Sequence, residues 1–178
     1  MNIYLVRHGE TDYNINNLLQ GTSDISLNNT GIKQAHILKE QIKDLKFDFI
    51  YSSPLQRALT TAKILNSELN LPIYVHDNLK ERSFGCLEGI NGKDYDIKLF
   101  WDYNKNYKYK DVETIQDFFK RVHSFLDDIS SKYGDKNILI VTHNGVNIAT
   151  NCYFHGMHSN INLLDIKLNN CEFQMYTK

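Results

Sequence analysis

Apolar residues fall along the chain in short runs alternating with longer stripes at helical spacing. Ile3 to Val6 is a short run read as a strand, and Phe47 to Tyr51 and Ile73 to Val75 read the same way. Ile138 to Val141 is β-branched and wholly apolar, as a central parallel strand should be. Between these runs, Ile32, Ala35, Leu38, Ile42 and Leu45 recur at helical spacing, with Asn28 or Thr30 placed to cap them. Leu55, Ala58, Leu59, Ala62, Leu65 and Leu69 form a second stripe, with Ser53 suited to the N-cap and Pro54 to the first helical position. Ile115, Phe118, Phe119, Val122, Phe125 and Ile129 mark a long amphipathic helix whose Thr114 and Asp117 suggest a capping box. A further helix is expected from Asn144 to about Met157, and Leu163 to Leu168 with Phe173 to Tyr176, split by Asn169-Asn170, read as a closing hairpin. Alternating strands and helices predict an α/β fold: a three-layer α/β/α sandwich around a mostly parallel sheet, with an antiparallel C-terminal edge.

The segments between these elements hold the candidate chemistry. The first strand stops at Arg7-His8-Gly9. Strand alternation would part the two side chains, but a turn at Gly9 lets both converge on one ligand at the carboxyl edge of the sheet. A neighbouring guanidinium disfavours an imidazolium, so His8 is expected to be neutral and nucleophilic, with Arg7 offering a planar fork for phosphate. Residues 12–26 are polar, contain Gln20-Gly21 and read as a loop long enough to be functional. Arg57 falls in the first turn of its helix, where by itself it reads as a solvated charge. Leu79 to Gly89 is a glycine-containing loop carrying Glu81 and Glu88. His143 ends the apolar strand 138–141 as His8 ends the first, and the following glycine turn and helix aim free N–H groups at an anion. Residues 90–110 cluster aromatics among lysines and suggest a small helical lid.

Composition narrows the function. The 178-residue chain is 42% hydrophobic and 23% charged, normal for one globular domain spanning 1–178. A formal net charge of −1 gives no electrostatic case for nucleic acid or an acidic membrane surface. The longest aliphatic run, Ile138 to Val141, is far too short to span a bilayer. The N-terminus shows no secretory pattern, and Cys86, Cys152 and Cys171 lack metal-type spacing, which together suggest reduced thiols and a cytoplasmic location. His155 and His158 are three apart but have no partnering cluster; with His36, His76 and His123 they read as structural or surface residues.

Four strings taken together resemble the motifs of the histidine phosphatase superfamily, the phosphoglycerate-mutase-like phosphatases. They are Arg7-His8-Gly9-Glu10-Thr11 with Asn14, Ser52 to Ala58 with Thr61-Ala62, Leu79 to Gly85, and Val141 to Gly145. The resemblance runs from Ile3 to Glu172, is weakest across 90–110, and is closest to the small broad-specificity and α-ribazole-type phosphatases. It implies a phosphoglycerate-mutase-like fold and a metal-independent phosphomonoesterase needing no cofactor. His8 would attack phosphorus and form a phosphohistidine. Arg7, Arg57 and a protonated His143 would neutralise the equatorial oxygens, and Glu81 rather than Glu88 would protonate the leaving alkoxide. Asn14, Gln20, Gly21 and Asn144 complete the implied phosphate-binding set. The implied partner is a small phosphate ester, and the chain would be a monomer or homodimer. Two alternatives stay open: a bisphosphoglycerate-dependent mutase, and a non-catalytic module that binds phospho-ligands.

Overall fold

The computed structural model describes residues 1–157 and 162–178. Its strands are β1 (Asn2–Arg7), β2 (Phe49–Ser52), β3 (Ile73–Val75), β4 (Asn137–Thr142) and β5 (Phe173–Thr177), in the sheet order β3-β2-β4-β1-β5. Its helices are α1 (Asp12–Ile15), α2 (Asn29–Ile42), α3 (Gln56–Leu65), α4 (Ile97–Phe100), α5 (Ile115–Lys132) and α6 (Asn144–His155). All strand pairs are parallel except β1 with β5.

Period-two alternation in the central strands builds the two faces. Ile3, Leu5, Ile138 and Ile140 bury themselves against the apolar stripes of α5 and α6. Val6, Ile50, Leu139 and Val141 bury themselves on the other side against α2 and α3. This is the expected α/β/α sandwich, with its mostly parallel sheet and antiparallel edge.

Register then places the site. Arg7 pairs with Thr142 across β1 and β4, and Ser52 pairs with Val141 across β2 and β4. The three central strands therefore end level, and the next residues, His8, Ser53 and His143, emerge together at the carboxyl edge. The ladder continues one step past the strands: His8 N donates to Thr142 O at 2.9 Å and Ser53 N to Val141 O at 3.0 Å.

Several local expectations are corrected. Residues 12–26 are not wholly loop, because Thr11 and Asn14 form a reciprocal capping box that nucleates α1. Helix α3 starts at Gln56 with Leu55 at its N-cap, not at Ser53-Pro54, and ends before Leu69. The Ser53 hydroxyl is engaged elsewhere, on His143 and on the amide of Leu55. The hairpin is absent: Leu163–Asp165 is a single 3₁₀ turn that buries Leu163, and β5 pairs with β1 instead. Helix α6 ends at His155, two residues early, where Gly156 adopts a positive φ of 80°. His158 lies outside the described residues. Segment 90–110 holds a 3₁₀ turn (Gly92–Asp94) and the four-residue α4, packed as a small aromatic cluster around Phe100 with Phe84, Leu87 and Val112. Among the described residues no helix is long and apolar enough to cross a membrane.

Candidate functional site

The ends of the three central strands and the loops beside them meet around a cavity of ≈ 250 Å³. Arg7, His8, Asn14, Gln20, Arg57, Glu81 and Asn144 line it with an apolar wall that includes Phe84, Ile97 and Trp101. His143 is fully buried and does not line this cavity; its ring stands behind that of His8, with centroids 5.1 Å apart at 60°. Arg7 lines two more open cavities, beside Lys93 and Asn170 on one side and beside Lys98 and Lys167 on the other.

His8 is held by its backbone neighbourhood. Its Nδ1 lies 2.7 Å from Gly9 O, so the proton on that nitrogen is donated to the carbonyl and the Nε2 lone pair is left free. Burial, then the charges of Arg57 and Arg7, hold the His8 pKa well below the ordinary histidine value. The turn that allows this needs Gly9: a Cβ there would lie 2.5 Å from Gly31 O, so α2 approaches the turn closely. Gly9 N donates to Thr61 Oγ1, and that hydroxyl donates to Arg57 O, tying the first strand end to α3.

Both guanidiniums are oriented by main-chain carbonyls. Arg7 Nη1 donates to Leu168 O at 2.8 Å. Arg57, fully buried and not a solvated helix charge, donates Nη1 to Ser23 O and Nη2 to Gly21 O, each at 2.7 Å. Burial lowers Arg57 to about 10, which leaves it charged at neutral pH. Arg7 Nε, Arg57 Nε and His143 Nδ1 are buried without a hydrogen-bond partner. Orphaned donors on two cations are the kind of feature an anionic ligand relieves.

Burial, then Arg57, His8 and Arg7, push the His143 pKa well below the ordinary histidine value, which favours its neutral ring. Its Nε2 lies 2.8 Å from Ser53 Oγ. One amide in the first turn of the helix that follows is taken within the chain: Gly145 N donates to Glu81 Oε2 at 3.0 Å, and Glu81 Oε1 accepts from Arg82 N at 2.8 Å. Glu81 thus reaches the cavity across the N-terminus of α6.

Glu88, the rival carboxylate, is occupied. It accepts from Thr22 N, Ser23 N, both of their hydroxyls and Phe84 N. It fixes the loop whose Gly21 and Ser23 carbonyls hold Arg57. Gly21 is not a lining residue; its φ of 50° and the space its missing Cβ leaves for Glu88 explain the glycine. Gln20 accepts from Thr11 Oγ1 at 3.0 Å, and Asn144 Oδ1 accepts from Leu168 N at 2.9 Å. Asn14 Oδ1 accepts from Thr11 N and from Asn170 Nδ2.

Sequence reasoning missed Ser53 as a partner of His143, Asn170, whose Nδ2 also donates to His8 O, and the pair Glu113–Arg121 behind Glu81. The available signal for Arg121 was scarcity: only four of the 20 basic residues are arginine. Among the described residues, no group of three or more His, Cys, Asp or Glu side chains could hold a metal ion.

Fold and site together define an α/β protein that gathers two guanidiniums and an imidazole around one cavity at the carboxyl edge of its sheet. The chain belongs to the Histidine phosphatase superfamily (branch 1), whose sequence model matches residues 3–177. It is 36% identical over 174 residues to putative phosphoserine phosphatase 2 of Hydrogenobacter thermophilus, covering 94% of this chain and 85% of that protein. It is 40% identical over 141 residues to the uncharacterized phosphatase PhoE of Bacillus subtilis, covering 79% and 70%. Among solved structures, Entamoeba histolytica phosphoserine phosphatase in complex with 3-phosphoglyceric acid matches with a TM-score of 0.85 at 29% identity, covering 98% of this chain and 89% of that one.

Proposed function

We propose that this chain is a phosphomonoesterase for small phosphorylated metabolites, working without a metal through a phosphohistidine on His8. The observation that carries it is the tautomer of His8: Nδ1 donates to Gly9 O, which leaves Nε2 as a lone pair at a cavity that Arg7 and Arg57 also line. Two guanidiniums supply the positive charge that phosphoryl transfer needs, so no step is routed through a metal.

In the first step His8 Nε2 attacks phosphorus, the ester P–O bond breaks, and Glu81 gives its proton to the departing alkoxide. In the second, Glu81 takes a proton from water as its oxygen attacks phosphorus, the P–N bond breaks, and inorganic phosphate leaves. A phosphate dianion on His8, whose ring is 5.1 Å from that of His143, opposes the two arginines and favours the His143 imidazolium, so the expected charge on His143 arises with ligand bound. The whole chain acts as one phosphatase domain, with 90–110 covering the cavity through Ile97 and Trp101.

The cavity is sized for the phosphoryl end of an ester: ≈ 250 Å³ lies below the roughly 300–1,000 Å³ of ordinary ligand sites, and Arg7 also lines two wider cavities of ≈ 480 and ≈ 620 Å³. The relatives named for phosphoserine point the same way. The test is turnover of a panel of phosphate esters together with trapping of labelled phosphate on the protein. Acid-labile label on the wild type and none on His8→Ala is expected. Acid-labile label on His8→Ala would remove His8 from the reaction, no turnover at all would leave a binding module, and bisphosphoglycerate-dependent isomerisation of phosphoglycerates would make the chain a mutase.

A further inference from the structure

We infer that Arg121 is a positioning residue that sets the place of the Glu81 carboxylate, with Glu113 as its counter-ion; this rests on the reading of Glu81 as the proton donor. Arg121 has five N–H donors, and each has an acceptor. Nη1 reaches Asn78 O at 2.8 Å and Lys80 O at 2.9 Å, and Nη2 reaches Glu81 O at 2.9 Å. The remaining donors go to Glu113: Nε to Oε1 at 2.7 Å and Nη2 to Oε2 at 3.0 Å.

Glu113 then holds the other side of Glu81. Its Oε2 accepts from Ser83 N at 3.1 Å, its amide donates to Ser83 O at 3.0 Å, and its carbonyl accepts from Arg82 Nε at 2.8 Å. The backbone on both flanks of Glu81 is therefore hung from one ion pair at the start of α5. Three carbonyls and both oxygens of a carboxylate need five donors spread over a planar fork. A lysine offers three from a single nitrogen and cannot span this set, which explains an arginine in a lysine-rich chain. The side chains are 22% and 19% exposed, so the pair is better shielded than an ordinary surface bridge. Arg121 itself does not line the cavity, although its charge adds to those that disfavour an imidazolium on His143; Arg121→Lys keeps that charge, so what the variant alters passes through Glu81.

The distinguishing readout is leaving-group dependence. A p-nitrophenolate departs without a proton, whereas an alkoxide needs one. The ratio of kcat/KM on phosphoserine to that on p-nitrophenyl phosphate therefore measures how well the donor is placed. Glu81→Gln should lower this ratio by about a hundredfold, the scale of general-acid catalysis. Arg121→Lys should lower it by about tenfold, part of that same contribution, while inhibition by inorganic phosphate stays unchanged. Glu113→Gln keeps the acceptor oxygen but removes the counter-charge, and serves if Arg121→Lys does not fold; a fall in the same ratio is expected. Equal slowing on both substrates, or weaker phosphate inhibition in step with activity, would overturn the inference while Glu81→Gln still discriminates. A Glu81→Gln enzyme with an unaltered ratio would instead remove the donor role from Glu81 and the inference with it.

Discussion

Glu81 and Gly145 meet closely enough that the glycine cannot be replaced without moving the acid. Gly145 N donates to Glu81 Oε2 at 3.0 Å, and a Cβ on Gly145 would fall 2.1 Å from Glu81 Oε1. Trp101 closes the third side, at 3.1 Å from the same point. Gly145 is helical, so alanine suits its backbone and adds up to about 1 kcal/mol of helix propensity. The side chain that must yield is the end of Glu81. Gly145→Ala is therefore expected to keep its thermal midpoint but lose kcat/KM on alkyl phosphates by about tenfold or more, as a displaced general acid would. Calorimetry and steady-state kinetics on one preparation check both halves. A fall in Tm with activity on alkyl esters retained would contradict this account of the contact.

Glu88 predicts the opposite pattern. Its carboxylate accepts from two hydroxyls and three amides, so in all five of these bonds it is the acceptor. Glu88→Gln turns one oxygen into a donor facing donors. Loss of charged hydrogen bonds at this scale costs about 2–3 kcal/mol, seen as a lower urea midpoint. Because the same loop supplies the Gly21 and Ser23 carbonyls that orient Arg57, inhibition by inorganic phosphate should weaken too. Unchanged phosphate inhibition in a destabilised Glu88→Gln would uncouple the loop from Arg57.

The legible parts of this molecule are those where one residue string carries both element and chemistry. Strand β4 is apolar on both faces, so its identity and the position of His143 at its end follow together. Arg7-His8-Gly9 is readable for the same reason, and parallel register does the rest by ending the central strands level. What stayed hidden depends on partners distant in the chain. Ser53 looks like any serine before a helix until His143, 90 residues later, stands beside it. Arg121 reads as a solvated charge on an amphipathic helix, since its carbonyl partners lie 40 to 43 residues back. Leu163 to Leu168 departs from the expected hairpin because a short apolar run has no unique period. The free edge of β1 decided the matter by taking Phe173–Thr177 instead. The charge of His143 could not be read at all, since burial beside two guanidiniums is a property of the assembled site.

That charge has a consequence for stability. His8 and His143 are both held well below the ordinary histidine pKa, first by burial and then by Arg57. In the unfolded chain both titrate near 6.5. Below that value the unfolded state binds protons that the native state refuses, and stability falls with falling pH. Above it both states are neutral and the contribution is constant. The ligand-free protein is therefore expected to lose about 1 kcal/mol for each histidine on acidification from pH 6.5 to 5.5, the slope steepening towards about 1.4 kcal/mol per pH unit below that. Thermal melts of the wild type and of His143→Gln measure it, and the variant should show the shallower slope. A tetrahedral dianion opposes the arginine charges that, after burial, disfavour a proton on His143. Sulfate stays doubly charged across this range, so saturating sulfate should flatten the wild-type slope towards that of the variant, beyond its general salting effect on His143→Gln. Equal slopes for wild type and variant, with and without sulfate, would mean that His143 binds a proton as readily folded as unfolded.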